Sequence, residues 1–173
     1  NIYFSVFSDV GSTDWSYDGS NPQEISTIDW NSSSIYKYVM PLGVASVTET
    51  ITGSTENGTI FYAPSVNIIF NKLTKEDQNQ IRLLGQTKVR LLVELNQKLS
   101  TGHDAILCVG WENGLDLNTG TEETGVSFGD RNGYNLTFTG MESRPLAFLE
   151  DYTTSIFDNS GFTNKGTPFV VSS

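Results

Sequence analysis

The sequence has little of the chemistry on which most catalytic and metal sites depend. It holds a single cysteine, Cys108, and a single histidine, His103, among 173 residues. One cysteine excludes an intrachain disulfide, and its setting in Ala-Ile-Leu-Cys-Val reads as a small apolar core residue. A hydrolytic triad would have to use His103, which lies in the turn sequence Thr-Gly-His-Asp and reads as a solvated turn residue. Zinc would need carboxylates for most of its ligands, which structural zinc rarely uses. No stretch approaches the roughly 18 apolar residues of a membrane span, and the N-terminal run lacks the basic flank of a signal peptide, so a soluble chain is expected.

Positive charge is also scarce. Ten Lys and Arg stand against twenty Asp and Glu, for a net charge of −10. The imbalance is uneven: residues 1–60 carry −6, residues 61–100 carry +3 and residues 101–173 carry −7. Nucleic-acid binding is driven by clustered cations that displace counterions, so gripping DNA or RNA is excluded as a main role.

What is present is aromatic and β-branched. Ten Phe, seven Tyr and three Trp provide bulky apolar surface for one domain with a real core. Short runs bounded by Gly, Asn, Asp and Ser predict strands at Ile2–Phe7, Ile35–Met40, Val44–Thr52, Thr59–Phe70, Lys88–Leu95, Ala105–Trp111, Tyr134–Thr139 and Leu146–Leu149. Their connections are too short for crossover helices, which predicts mostly antiparallel pairing. The segment LTKEDQNQIRLLGQ, residues 73–86, predicts one helix at about 74–85, with Thr74 as N-cap, acids at 76 and 77, Gly85 at its stop, and Ile81 and Leu84 turned inward. The fold class expected is mainly β: an antiparallel β-sandwich or partial barrel flanked by one short α-helix, in one domain spanning 1–173. Residues 8–34 and 112–124 are polar and read as loops, the first long enough to be an arm that orders on a neighbour, and the tail from 158 has the same composition.

Other motifs are weak. Glu122 and Glu123 are adjacent and would diverge if extended, so they make no acid–base pair. DWSYDGSN, residues 14–21, has oxygen ligands without the spacing of a calcium loop. Gly129-x-x-x-Gly133 precedes a strand, where a phosphate cradle would open a helix. Sequons at Asn31, Asn57 and Asn135 are read as chance matches. Within GVSFGDRNGYNLTFTGME, residues 125–142, Asn132-Gly133 is a hairpin signal with positive φ expected at Gly133, and Tyr134, Leu136 and Phe138 alternate with Asn135, Thr137 and Thr139 as a half-buried strand should. The basic middle segment supplies candidate subunit-interface residues Lys72, Lys75, Arg82, Lys88 and Arg90, with Asp130 and Arg131 as turn or edge charges; an ordinary solvated face is the alternative.

Two stretches in fixed order carry a family resemblance. GTIFYAPSVNIIFNKLTKEDQNQIRLLGQTKVRLLVEL gives strand, capped helix and strand. AILCVGWENGLDLNTGTEETGVSFGDRNGYNLTFTGMESRPLAFL adds an aromatic-Glu-Asn-Gly-Leu turn, a Gly/Thr loop, Gly-Asp-Arg-Asn-Gly-Tyr and a final strand pair. Over about residues 58–150 the chain resembles structural proteins of tailed bacteriophages infecting Bacteroidetes, of the tail tube or related virion type. The resemblance implies a tail-tube-like fold, self-assembly into stacked, hexameric rings, contact with other tail proteins, and a virion location after assembly in the host cytoplasm. It implies no enzymatic activity and no cofactor. Six inner sheets would form one barrel around a lumen, the 8–34 arm would reach the next ring, and acids lining the lumen would let DNA pass without binding. Two other readings stay open: a neck, ring or baseplate protein, and a cell-surface, fimbrial or carbohydrate-binding β-sandwich, the last suggested by Trp15, Trp30 and Trp111.

Overall fold

A computed structural model describes residues 1–41, 43–54, 56–71, 75–127, 129–164 and 168–171. In chain order the strands are β1 (Ile2–Val6), β2 (Trp15–Tyr17), β3 (Glu24–Asp29), β4 (Ile35–Tyr38), β5 (Ala45–Ser54), β6 (Thr59–Asn71), β7 (Val89–Lys98), β8 (Asp104–Val109), β9 (Asp116–Glu123), β10 (Gly133–Thr139), β11 (Ala147–Leu149), β12 (Phe162–Thr163) and β13 (Pro168–Val171). The helix α1 (Lys75–Leu84) lies between β6 and β7. The mainly β expectation holds, with mixed sheets and no closed barrel.

A large sheet runs β12-β3-β11-β8-β7-β1-β4-β13, with β2 added on β3, and a small sheet runs β5-β6-β10-β9. Strand alternation sends successive side chains to opposite faces, and in the middle of the large sheet both faces are covered. From β1, Ile2 and Phe4 enter one buried cluster while Tyr3 enters the other; from β7, Val89, Leu91 and Val93 part from Leu92 in the same way. The near-continuous apolar runs IYFSV and VRLLV follow from this double burial. One cluster is shared with Val66, Ile68, Phe70, Tyr134, Leu136 and Phe138 of the small sheet. The other is aromatic and lies under residues 150–162.

Most pairs are antiparallel, but β11 and β12 each pair with β3, and β13 with β4, in parallel. These partners lie far apart in the chain, so adjacency in sequence does not reveal them. Here the polar-loop readings need correction. Residues 8–34 are not an arm: they form β2 and β3 and bury Val10, Ile25, Ile28 and Trp30 completely. Residues 116–123 form β9, and the tail supplies β12 and β13. The strands β2, β11 and β12 span three, three and two residues, too short to show a period.

The helix is seen at Lys75–Leu84. Ile81 and Leu84 are half-buried against the shared cluster, as the apolar spacing requires, and the Tyr38 hydroxyl donates to Gln80 Oε1. Gly85 follows the last turn and donates its N–H to the Ile81 carbonyl at 2.9 Å. The expected N-cap Thr74 and the candidate Lys72 lie outside the described residues.

Candidate assembly interface

The charged residues singled out in the sequence do not form one patch. Lys75 and Arg82 are exposed on α1. Lys88 is exposed too, but its ammonium donates to the Asn113 carbonyl at 3.2 Å and lies 3.6 Å from Asp116 Oδ2. Asp130 is used within its own loop, where Oδ2 accepts the N–H groups of Val126 at 2.9 Å and Ser127 at 2.7 Å; these bonds hold its carboxyl below the usual range. Arg131 pairs with Glu123 at 2.9 Å across the same loop.

For Arg90 the interface reading fails, since it is 2% exposed. Nε donates to the Trp111 carbonyl at 3.0 Å, and Nη1 donates to Phe7 O at 2.7 Å and to Val10 O. The guanidinium also lies 4.0 Å over the Phe7 ring. Burial pulls its pKa down to about 10, against the opposing pull of Glu142 and Asp14. It therefore acts as a buried tie between main-chain segments.

Beside it sits a reciprocal acid clasp. The buried Glu142 carboxylate accepts the N–H of Glu112 at 3.0 Å and of Asn113 at 3.2 Å. Glu112 returns the contact, accepting from the Ser143 N–H at 3.2 Å and from its hydroxyl, with Arg144 Nε at 3.6 Å. Glu142 also exchanges two main-chain hydrogen bonds with Tyr62 of β6, at 2.9 and 2.7 Å, so the clasp joins the Trp-Glu-Asn-Gly-Leu turn to the small sheet. Burial raises the Glu142 pKa to about 7, partly offset by the two N–H donors and by Arg90. The aromatic-Glu-Asn-Gly-Leu turn of the resembling stretch is thus bolted into the fold by its own acids.

The three tryptophans, distant in sequence, meet in space. Trp111 lies edge-on to Trp15 at 5.8 Å and to Trp30 at 6.1 Å. Trp30 and Trp111 are buried and Trp15 is half-buried, so they build the aromatic core and offer no sugar-binding platform. His103 stacks on Tyr152 at 5.0 Å, and its Nε2 lies 2.7 Å from the Thr153 carbonyl. Asp14 Oδ2 accepts from Gly11 N at 2.7 Å and Asn31 Nδ2 at 2.8 Å, and these bonds lower its pKa. Among the described residues no group of three or more His, Cys, Asp and Glu could hold a metal ion, and no helix is long and apolar enough to cross a membrane.

The small sheet is the feature that individual residues did not announce. Its inner face carries Val66, Ile68, Phe70, Leu136 and Phe138, while its outer face carries Thr48, Ser65, Asn67, Asn135, Thr137 and Thr121, all half-buried or exposed. Asn67 Nδ2 donates to Asn135 Oδ1 at 2.9 Å and to Thr137 Oγ1 at 3.2 Å; Asn118 Nδ2 donates to Thr139 Oγ1 at 3.0 Å. Among the described residues, β5 and β9 each have a strand partner on one side only. The sheet thus ends in two bare edges, of 10 and 8 residues. The alternation of Val44–Thr52 signalled the wet face, but no sequence signal marked β9, whose run DLNTGTEE holds a single apolar side chain, Leu117.

Gly133 sits at the start of β10 opposite Asn71 and Glu123. It does not have the positive φ expected of it; a Cβ there would lie 1.9 Å from the Phe70 carbonyl oxygen. Close strand approach, not turn geometry, demands the glycine. The β9–β10 hairpin is real, but residues 124–132 close it, with Gly125 at φ +71°.

No family model and no curated protein matches the sequence. Among solved structures, a chain described as "Virion of native gene transfer agent (GTA) particle" aligns with 80% of this chain and 97% of its own length, at 10% identity and a TM-score of 0.36.

Proposed function

We propose that the protein is a non-enzymatic virion structural protein that polymerises through its small sheet into rings, which stack as a tail tube for DNA passage. The observation that carries this reading is the pair of bare edges on one four-stranded sheet. Natural edge strands are blunted by Lys, Pro, bulges, charge or brevity; β5 and β9 are long and contain neither Lys nor Pro, and β9 carries a bulge at Asn118 and three acids, two of them paired. Because the two edges differ, pairing β5 of one copy with β9 of the next is head-to-tail and closes into a ring when the rotation permits. Two acids of β9 are offset locally, Asp116 by Lys88 and Glu123 by Arg131, which reduces repulsion at that edge.

On this reading the sheet's outer face lines the lumen. That wall is mostly hydroxyls and amides, several bonded to one another, with Ile69, Ala63 and Phe61 among them and acids confined to the β9 rim. With its nearest cations, Lys88 and Arg131, held by the acids of β9, such a wall gives phosphates little to hold, so DNA slides without a strongly acidic lining.

Electron microscopy and sedimentation of the purified chain test the proposal. Wild type forms rings or tubes. Thr48→Glu with Thr50→Glu, which adds like charge on the edge facing acidic β9, remains monomeric with unchanged melting. A wild-type chain that stays monomeric at every concentration and salt would overturn the reading.

A further inference from the structure

A second contact surface is offered by side chains at the free end of the β5–β6 hairpin, distinct from the main-chain groups of the β5 edge. The β5–β6 hairpin is longer than the sheet beneath it: β10 pairs with Ser65–Asn71 of β6, so Thr59–Ala63 pair along their length only with Thr50–Ser54, apart from the Tyr62–Glu142 bridge. This outer half is a two-stranded ribbon, a structure that is marginal in water by itself. It nevertheless carries large apolar side chains into solvent, Ile51 at 63% exposure and Ile60 at 57%. The register places Ile51 opposite Tyr62 and Ile60 opposite Gly53, so both isoleucines share one face.

The same chain has an apolar recess. A groove of about 270 Å³ runs between the last turn of α1 and strands β1 and β4, lined by Phe4, Val6, Leu83, Leu84 and Val89 with Gln80 at its side. Leu83 stands 55% exposed there. The volume falls at the lower end of small-molecule pockets and suits a few inserted side chains better than a whole ligand. Charge favours the same pairing: the hairpin end bears Glu56, and the helix end bears exposed Arg82.

We infer that the outer half of the β5–β6 hairpin of one copy docks through Ile51 and Ile60 into the α1–β1–β4 groove of a neighbouring copy. The occupant is a second copy because the same chain offers an apolar projection beside an acid and an apolar recess beside a base. The contact is again head-to-tail and extends an assembly. It adds to the proposed ring reading a second, independent contact between subunits.

Two single-cysteine variants of the full chain, Ile60→Cys and Leu83→Cys, test it, the native Cys108 being buried and out of reach. Mixed and mildly oxidised, they give several-fold more disulfide-linked dimer than either variant alone. Equal cross-linking in the mixture and in the separate variants overturns the docking. Microscopy of the same samples keeps the two readings apart. Rings without the mixed cross-link sink the docking and leave edge pairing intact, whereas the mixed cross-link without rings sinks edge pairing and leaves the docking. Ile51→Ser with Ile60→Ser, which removes only exposed apolar surface, keeps the wild-type melting temperature and abolishes extended assemblies; extended assemblies of normal length also overturn the inference.

Discussion

The two sheets of this protein are finished to different degrees. In the large sheet the central strands β1, β7 and β8 are buried on both faces, and even a cation, Arg90, is enclosed and bonded to three main-chain carbonyls. The small sheet buries one face, leaves the other as a field of Thr, Ser and Asn, and stops at two bare edges. On the proposed reading the difference separates stability from association: substitutions in the first should change folding, and substitutions on the outside of the second should change self-assembly.

The largest effect tests the first half of that statement. Arg90→Met keeps much of the apolar stem but leaves the carbonyls of Phe7, Val10 and Trp111 without their donor, and should cost about 3–5 kcal/mol in denaturant unfolding. Gly133→Val sits at the start of β10, opposite Asn71 of β6 and Glu123 of β9. Its Cβ would meet the Phe70 carbonyl 1.9 Å away, so β6 and β10 must separate there, and the midpoint of unfolding should fall by roughly 2 kcal/mol or more.

A smaller, pH-dependent effect belongs to the clasp between the sheets. Burial raises the Glu142 pKa from 4.5 to about 7, so the folded state holds this proton more tightly than the unfolded chain. Its contribution to stability is full below about pH 4.5 and is lost as the pH rises through about 7. The melting temperature of wild type relative to Glu142→Gln should therefore decline between pH 5 and pH 8. A constant difference would place the titration elsewhere. The smallest effect on folding is expected for Lys75→Glu with Arg82→Glu on the exposed helix: within about 0.5 kcal/mol of wild type, with weakened self-association at low salt. If this pair destabilised the monomer as much as Arg90→Met, the division between the two sheets would fail.

Much of the fold was legible because its longer elements repeat a period. The strands β5, β6, β7 and β10 show alternation or continuous burial, and Ile81 and Leu84 fix the inner side of α1. The candidate surface was less legible. Arg90 counted as one cation in a basic segment, although its place inside the run Val-Arg-Leu-Leu-Val was the signal that it is enclosed. The arm reading of residues 8–34 failed because Ile25, Ile28 and Trp30 gain their meaning from parallel partners at the other end of the chain. Asn132-Gly133 suggested a tight turn where the real constraint is the Phe70 carbonyl, a contact across strands that local turn chemistry does not encode. The bare edges emerge only once all pairings are known, since an edge is defined by a missing neighbour.

The position of β1 has a consequence in time. The first strand of the chain lies inside the large sheet, between β4 and β7, where Ile2 aligns with Tyr38 on one side and Val93 on the other. During synthesis it must wait for residues far downstream before its second side is covered. Such non-local closure slows folding to the millisecond-to-second range. The small sheet is subject to the same delay, because β6 must find β10 across the whole of α1, β7, β8 and β9, whereas β9 and β10 meet locally as a hairpin. Slow completion means that the bare edges of β5 and β9 present a finished template only once the rest of the chain has folded.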